Sequence, residues 1–166
     1  MTKLLIALFA FLLTACCQTP YKEGIYGLYG GYSLKKTNDT YTISYALNGL
    51  TTLRKGVDFV ALKGSQIAME NGLQTFDLKI VKAYSLTTAG RGGYNSHLVI
   101  DIIPNKNGFF EASNICAFIT QKYGGVSNAD VFKEEINCNK NTEPNNASKQ
   151  MEVFYNKFQN LDYKYV

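Results

Sequence analysis

Between residues 41 and 47 the chain alternates strictly: Tyr41, Ile43, Tyr45 and Leu47 fall on one side of an extended backbone, and Thr42, Ser44 and Ala46 on the other. A period of two is that of a half-buried strand. A first short strand near Gly31 to Leu34 precedes it, and the intervening TNDT has turn chemistry, so the two strands read as a hairpin. After Asn48 and Gly49 the period lengthens. Leu53, Val57, Val60, Ala61, Gly64, Ile67 and Ala68 recur at spacings of three and four, with Thr51 or Thr52 able to cap the start and Asn71 with Gly72 able to end it. This spacing predicts a helix over residues 52–71, and its small residues Ala61, Gly64 and Ala68 permit close approach to a sheet. The period of two then returns twice. Phe76, Leu78 and Ile80 point one way with Asp77 and Lys79 the other, and Leu98, Ile100 and Ile102 repeat the device. From Phe109 to about Tyr123 the chain reads as one more strand, with ASNICAFITQKY as its apolar centre. Beyond Gly124 and Gly125 come a short helical piece around Val131 to Ile136 and an Asn-rich loop. A final helix carries Met151, Phe154, Tyr155, Phe158 and Leu161 on one face, and the tail DYKYV extends as a last short strand.

The order strand, strand, helix, strand, strand, strand, helix predicts an α+β fold. Its sheet is mainly antiparallel, of about five strands, with helices packed on one face. The final apolar stripe is then core, because a helix docked on a sheet needs one such face.

The N-terminus breaks these rhythms. After Lys3, residues 4–13 read LLIALFAFLL, ten positions without a charged or strongly polar side chain. A helix needs about 20 apolar residues to cross a bilayer, so this run is too short to span and has instead the form of a secretory signal. Its exit, Leu13-Thr14-Ala15-Cys16, resembles the bacterial lipobox. That resemblance implies a diacylglyceryl thioether on Cys16, cleavage after Ala15 and acylation of the new amino group of Cys16. Taking Cys17 as the acceptor would put Thr14 in the leucine place and Cys16 before the cut, a poorer match. An ordinary secretory signal with incidental cysteines is the competing reading. Residues 1–15 are thus a removable signal, residues 16–30 a lipidated tether rich in Gly and Tyr, and residues 31–166 one domain.

Removing 15 of the 166 residues leaves 151, enough to bury a substantial core. Lys3 leaves with the signal, so 16 basic residues face 13 acidic ones, a mild excess with no dense basic run. This argues against nucleic acid as a partner. Two cysteines remain in the body, Cys116 and Cys138. In an exported chain such a pair is read as a disulfide, since only His97 offers a further soft ligand and no CxxC spacing supports a metal. No cofactor is implied.

CCQTPYKEG, GGYS, YTISYALNGLTT, the helix VDFVALKGSQIAMENG and FDLKIVKAY, in that order, resemble an uncharacterised family of Gram-negative lipoproteins. The resemblance spans roughly residues 16–84. It carries the family signature onto Thr19, Pro20, Tyr21, Gly30, Gly31, Tyr32, Ser33, Asn48, Gly49 and Thr51. Where that family has an Arg-rich and Ala-rich helix, this chain has Lys63, Gly64 and Ser65, and its Asn-rich part with Cys138 is a local elaboration. The resemblance implies a lipid-anchored place in the cell envelope and no activity. Cys17 is also not the Asp that resembles the inner-membrane retention signal, which implies the outer membrane, facing the periplasm.

Catalysis needs a nucleophile, a base and a group that orients the base. His97 is the single histidine and lies on a predicted strand; Ser33 in GGYS lacks the glycine of a nucleophile elbow. Asp58, Asp77 and Asp101 are spaced as surface residues of separate elements. The glycine-rich SLTTAGRGGYN with Arg91 lacks the Lys-Ser/Thr of a phosphate loop and reads as a plain connection. The expectation is a non-catalytic envelope lipoprotein that binds or scaffolds a protein or glycan partner. The alternative is a hydrolase of envelope material using His97 and a nearby carboxylate.

Overall fold

The computed structural model describes residues 21–24, 30–48, 51–87, 94–123, 138 and 146–159. Along the chain run β1 (Gly31–Thr37), β2 (Thr40–Leu47), α1 (Leu53–Glu70), β3 (Thr75–Thr87), β4 (Tyr94–Asn105), β5 (Phe110–Glu111), α2 (Ala112–Tyr123) and α3 (Ala147–Gln159). The strands form one antiparallel sheet of order β1-β2-β4-β3-β5, an α+β arrangement of the predicted kind. Since β4 is antiparallel to both of its neighbours, β2 and β3 run parallel with β4 between them, and α1 is the crossover that joins them.

The hairpin turns at Asn38 and Asp39, with Thr37 opposite Thr40 and Asn38 at φ 53°, a conformation Asn tolerates better than most residues. Ile43, Tyr45 and Leu47 on β2 face the core with Leu98, Ile100 and Ile102 on β4. On β3 the alternation holds through Phe76, Leu78 and Ile80. A bulge at Val81 then shifts the register by one, leaving Val81 54% exposed and placing Ala83 opposite Leu98.

Helix α1 starts at Thr52, whose side chain accepts from the Lys55 amide at 3.2 Å. It ends in a paired closure: the Gly72 amide (φ 69°) donates to Met69 O and the Leu73 amide to Ala68 O, each at 2.9 Å. The unusual feature is in between. Residues Gly56 to Leu62 are buried without interruption, although a helix lying on a sheet alone buries only a stripe. Two further helices supply the second cover: α2 packs mainly on α1, and α3 packs on α2, β5 and α1.

The stretch ASNICAFITQKY is therefore a helix, not the strand that its content of Ile, Phe and Thr predicts; only Phe110 and Glu111 before it pair with the sheet, against Phe76 and Thr75. Ala112, Ile115, Cys116 and Ile119 are buried at helical spacing, and Thr120 turns its hydroxyl back to Cys116 O at 2.7 Å. β-Propensity is a weak preference that docking on α1 overrides. In α3, Met151, Phe154, Tyr155 and Phe158 are buried as the stripe predicts. Leu161, the DYKYV tail, the 131–136 segment and the loop around Arg91 lie outside the described residues.

Residues 21–24 belong with the sheet edge. The Gly24 amide donates to Tyr32 O at 2.6 Å, and the Tyr32 amide donates to Lys22 O at 3.0 Å. Gly31 (φ 146°) is required there, because a Cβ would lie 2.0 Å from Gly24 O.

Gly64 sets the height of α1 above the sheet. A Cβ at this position would lie 2.5 Å from Cε2 of the fully buried Phe76 ring. Gly64→Val is expected to destabilise by about 1–3 kcal/mol in chemical denaturation through overpacking, whereas Lys79→Ala on the exposed sheet surface should change stability by less than about 0.5 kcal/mol.

Candidate functional site

The polar chemistry of the described residues concentrates on α1. Asp58 sits inside the apolar run Val57 to Leu62 and is fully buried, not the surface carboxylate its spacing suggests. Covering α1 on both sides leaves no solvent face at this position. The carboxylate accepts from three donors on two helices. Lys122 Nζ of α2 lies 2.7 Å from Oδ2, the Tyr123 hydroxyl donates to the same oxygen at 2.5 Å, and the Tyr155 hydroxyl of α3 donates to Oδ1. Burial first, and then the adjoining Asp58 charge, push both phenols far above the ordinary tyrosine pKa, so they stay protonated donors through the neutral range.

Cations and rings close the outer side of this cluster. The Arg54 guanidinium lies 4.2 Å from the Tyr155 ring centre and pairs with Glu152 of α3 on the surface. Lys55 lies 5.4 Å from the Tyr123 ring and 5.5 Å from the Phe59 ring, and burial holds its pKa below the usual lysine value. A carboxylate enclosed by its own donors presents no side to a substrate. The arrangement clamps α1, α2 and α3 together.

The other predicted candidates are dispersed. His97 lies on β4 between Ala46 of β2 and Tyr84 of β3, on the sheet face opposite the helices, and burial lowers its pKa. Asp101, on the same face four residues on, is about 13 Å away along the strand. It accepts from Thr42 Oγ1 at 2.7 Å. Asp77 accepts from Asn105 Nδ2 and from the Phe109 amide, bracing the β4–β5 turn. His97 and these carboxylates are not brought together. A cleft of about 610 Å³ between the end of α1 and the start of α2 is lined by Met69, Leu73, Gln74, Thr75, Glu111 and Ser113. Its Thr75 hydroxyl is already engaged with Asn105 O and the Gly108 amide. Among the described residues no group of three or more His, Cys, Asp or Glu could hold a metal ion.

Cys116 of α2 and Cys138 are brought to disulfide distance, with Cα atoms 5.7 Å apart. Cys16 lies outside the described residues. Tyr21, five positions after it, is fully buried: its ring lies 5.5 Å from Tyr32 and 5.6 Å from Phe59, and its hydroxyl donates to Gln66 Oε1 on α1. Tyr21, Gln66 and the partners of Asp58 were not legible as a site. The available signal was a charge inside an uninterrupted apolar helical run, together with the adjacent Lys122-Tyr123 pair and a tyrosine in the α3 stripe. The chain matches no protein-family model, no curated protein and no solved structure.

Asp58→Ala should destabilise by about 3 kcal/mol in chemical denaturation, because it strands the buried Tyr155 hydroxyl and the partly buried Tyr123 hydroxyl and removes the partner of Lys122; Asp58→Asn, which still accepts, should lose less. The raised phenol pKa values have a definite sign. The folded state holds protons that the unfolded chain releases above about pH 10, so this stability is complete below that pH and lost as pH rises beyond it, by up to about 1.4 kcal/mol per pH unit for each phenol. Tyr155→Phe should flatten the alkaline limb of a stability-versus-pH curve; an unchanged slope would contradict the assignment. For the cysteine pair, a bridge closing 22 residues should stabilise by about 3 kcal/mol, lost on reduction, and the oxidised protein should show no reactive thiol at Cys116 or Cys138 by peptide mass spectrometry.

Proposed function

We propose that the protein is a lipid-anchored lipoprotein of the cell envelope, attached through Cys16 and facing the periplasm from the outer membrane, and that its role there is binding or scaffolding and not turnover. The observation that carries this reading is the sequence Leu13-Thr14-Ala15-Cys16 at the end of a ten-residue apolar run. One feature supports it. Cys116 and Cys138 lie at disulfide distance, which suits an oxidising compartment. The non-catalytic part of the reading rests on the cluster around Asp58 being closed by its own partners and on the separation of His97 from Asp101.

Each methylene placed in the bilayer contributes about 0.8 kcal/mol, so two or three acyl chains hold a protein almost permanently. Cys16→Ala is therefore expected to give an uncleaved precursor without acyl label, while Cys17→Ser is processed and labelled like the wild type. Metabolic labelling with a clickable fatty acid and membrane fractionation read both outcomes. Label retained on the Cys16 variant, or wild type found free in the periplasm, would sink the proposal.

A further inference from the structure

Tyr123, Tyr155 and Tyr21 all give their hydroxyl protons away, the first two to Asp58 and the third to Gln66. Tyr41 is placed the other way round. It is the outermost ring of the column Tyr45, Ile43, Tyr41 on the core face of β2, at the end of the sheet where α1 stops at Glu70. The residue is half-buried, and its hydroxyl lies at the rim, where Asn71 Nδ2 donates to it at 3.3 Å.

The fold holds both groups that face this oxygen. Asn71 closes α1: its backbone amide bonds Ile67 O and Ala68 O, each at 3.1 Å, and one hydrogen of its side-chain amide goes to Ile67 O at 2.7 Å, which directs the other at Tyr41. Lys36 is the direct partner of Tyr41 in the β1–β2 ladder, so the two side chains stand on one face with β-carbons about 5 Å apart. Its ammonium lies 4.9 Å from the Tyr41 ring centre. The partner on the other side, Ile102 of β4, is apolar. Among the described residues the remaining charges at this place are Asp39 of the hairpin turn and Glu70. The Lys36 ammonium as a donor, and then the Asn71 amide, hold the Tyr41 phenol below its ordinary pKa, against burial and the Glu70 charge, while Tyr41 and then Asp39 raise that of Lys36. A cation and an amide N–H stabilise a phenolate, whereas the acceptors that face the other three hydroxyls stabilise a phenol.

The structure assigns Tyr41 as a covalent acceptor site: its phenolic oxygen, held between Lys36 and Asn71, takes an acyl group from an activated acyl donor, that is, a carbonyl bearing a good leaving group. The phenol first releases its proton to water. An electron pair of the oxygen then forms the bond to the acyl carbon, and the bond from that carbon to the leaving group breaks. The leaving group departs with that bonding pair and takes up a proton, so a tyrosyl ester and the protonated leaving group are the products. Lys36 and Asn71 act through the oxygen and are positioning residues. Both are exposed, so an acyl donor reaches the oxygen from solvent without any opening of the core. This site is independent of the anchoring of Cys16.

The test uses the full oxidised chain, with N-acetylimidazole as the acyl donor and N-acetyltyrosinamide in the same tube as a phenol of ordinary pKa. Acetylation is quantified by peptide mass spectrometry before and after hydroxylamine, which releases phenyl esters and leaves amides in place. At about pH 7.5 Tyr41 is expected to be acetylated about fivefold faster than the reference, and its rate to reach half its plateau at a lower pH. Lys36→Met keeps the stem over the ring and removes the charge. It should bring the rate to within about twofold of the reference and raise the pH midpoint, while Lys36→Arg restores much of both. Far-UV circular dichroism establishes that both variants are folded. Equal rates for Tyr41 and the reference overturn the assignment, as does a hydroxylamine-resistant acetyl group on Lys36 in place of the ester on Tyr41. A Lys36→Met protein with unchanged rate and midpoint overturns it as well.

Discussion

A carboxylate with no solvent exposure, placed in the middle of the central helix, is the constraint on which the rest of the helical layer depends. Removing a charge from water costs several kcal/mol unless partners of good geometry replace the hydration shell, and Asp58 obtains its partners from two other helices. Lys122 and Tyr123 are adjacent in α2, and Tyr155 comes from the middle of α3. Donors from both other helices engage the two carboxylate oxygens, which ties the three helices to one another. Apolar packing alone would hold α2 and α3 near α1 in many orientations, because Ile, Phe and Met tolerate alternative contacts. The carboxylate selects among them.

The helical state of α2 is what lets it meet this constraint. Its apolar residues are compatible with either period, and a strand there could have extended the sheet beyond β3. A two-residue β5 followed by a helix instead places Lys122 and Tyr123 above α1 and seats Cys116 beside Cys138. The second cover over α1 is thus made of side chains that neither the sheet nor the helix α1 could supply alone.

A continuous chain of aromatic contacts runs from the sheet edge to this hub: Tyr45 to Tyr32, Tyr32 to Tyr21, Tyr21 to Phe59, and Phe59 to Tyr123. Rings bury large areas with few rotatable bonds, and the tyrosine hydroxyls find polar partners at their ends. Residues 21–24 are thereby part of the packed structure.

Much of the sheet was legible in the order of residues. Period-two alternation located β2, the first half of β3 and β4, and the TNDT turn and the Thr52 and Gly72 signals bounded the hairpin and α1, because these are decided by neighbours within a few positions. The small residue Gly64 likewise announced a close approach that Phe76 fills. The bulge at Val81, the helical state of residues 112–123 and the burial of Asp58 were not legible. Each depends on what lies on the second side of an element, and periodicity reports only that one side is apolar. By itself the sequence determined the alternation of the strands, the extent of the first helix and the lipobox-like N-terminus, since each is written in consecutive residues. The tertiary structure alone decided that α1 is covered twice and that Asp58 joins residues 64, 65 and 97 positions away, because the cost of a buried charge can be offset only by donors that the completed fold brings to it.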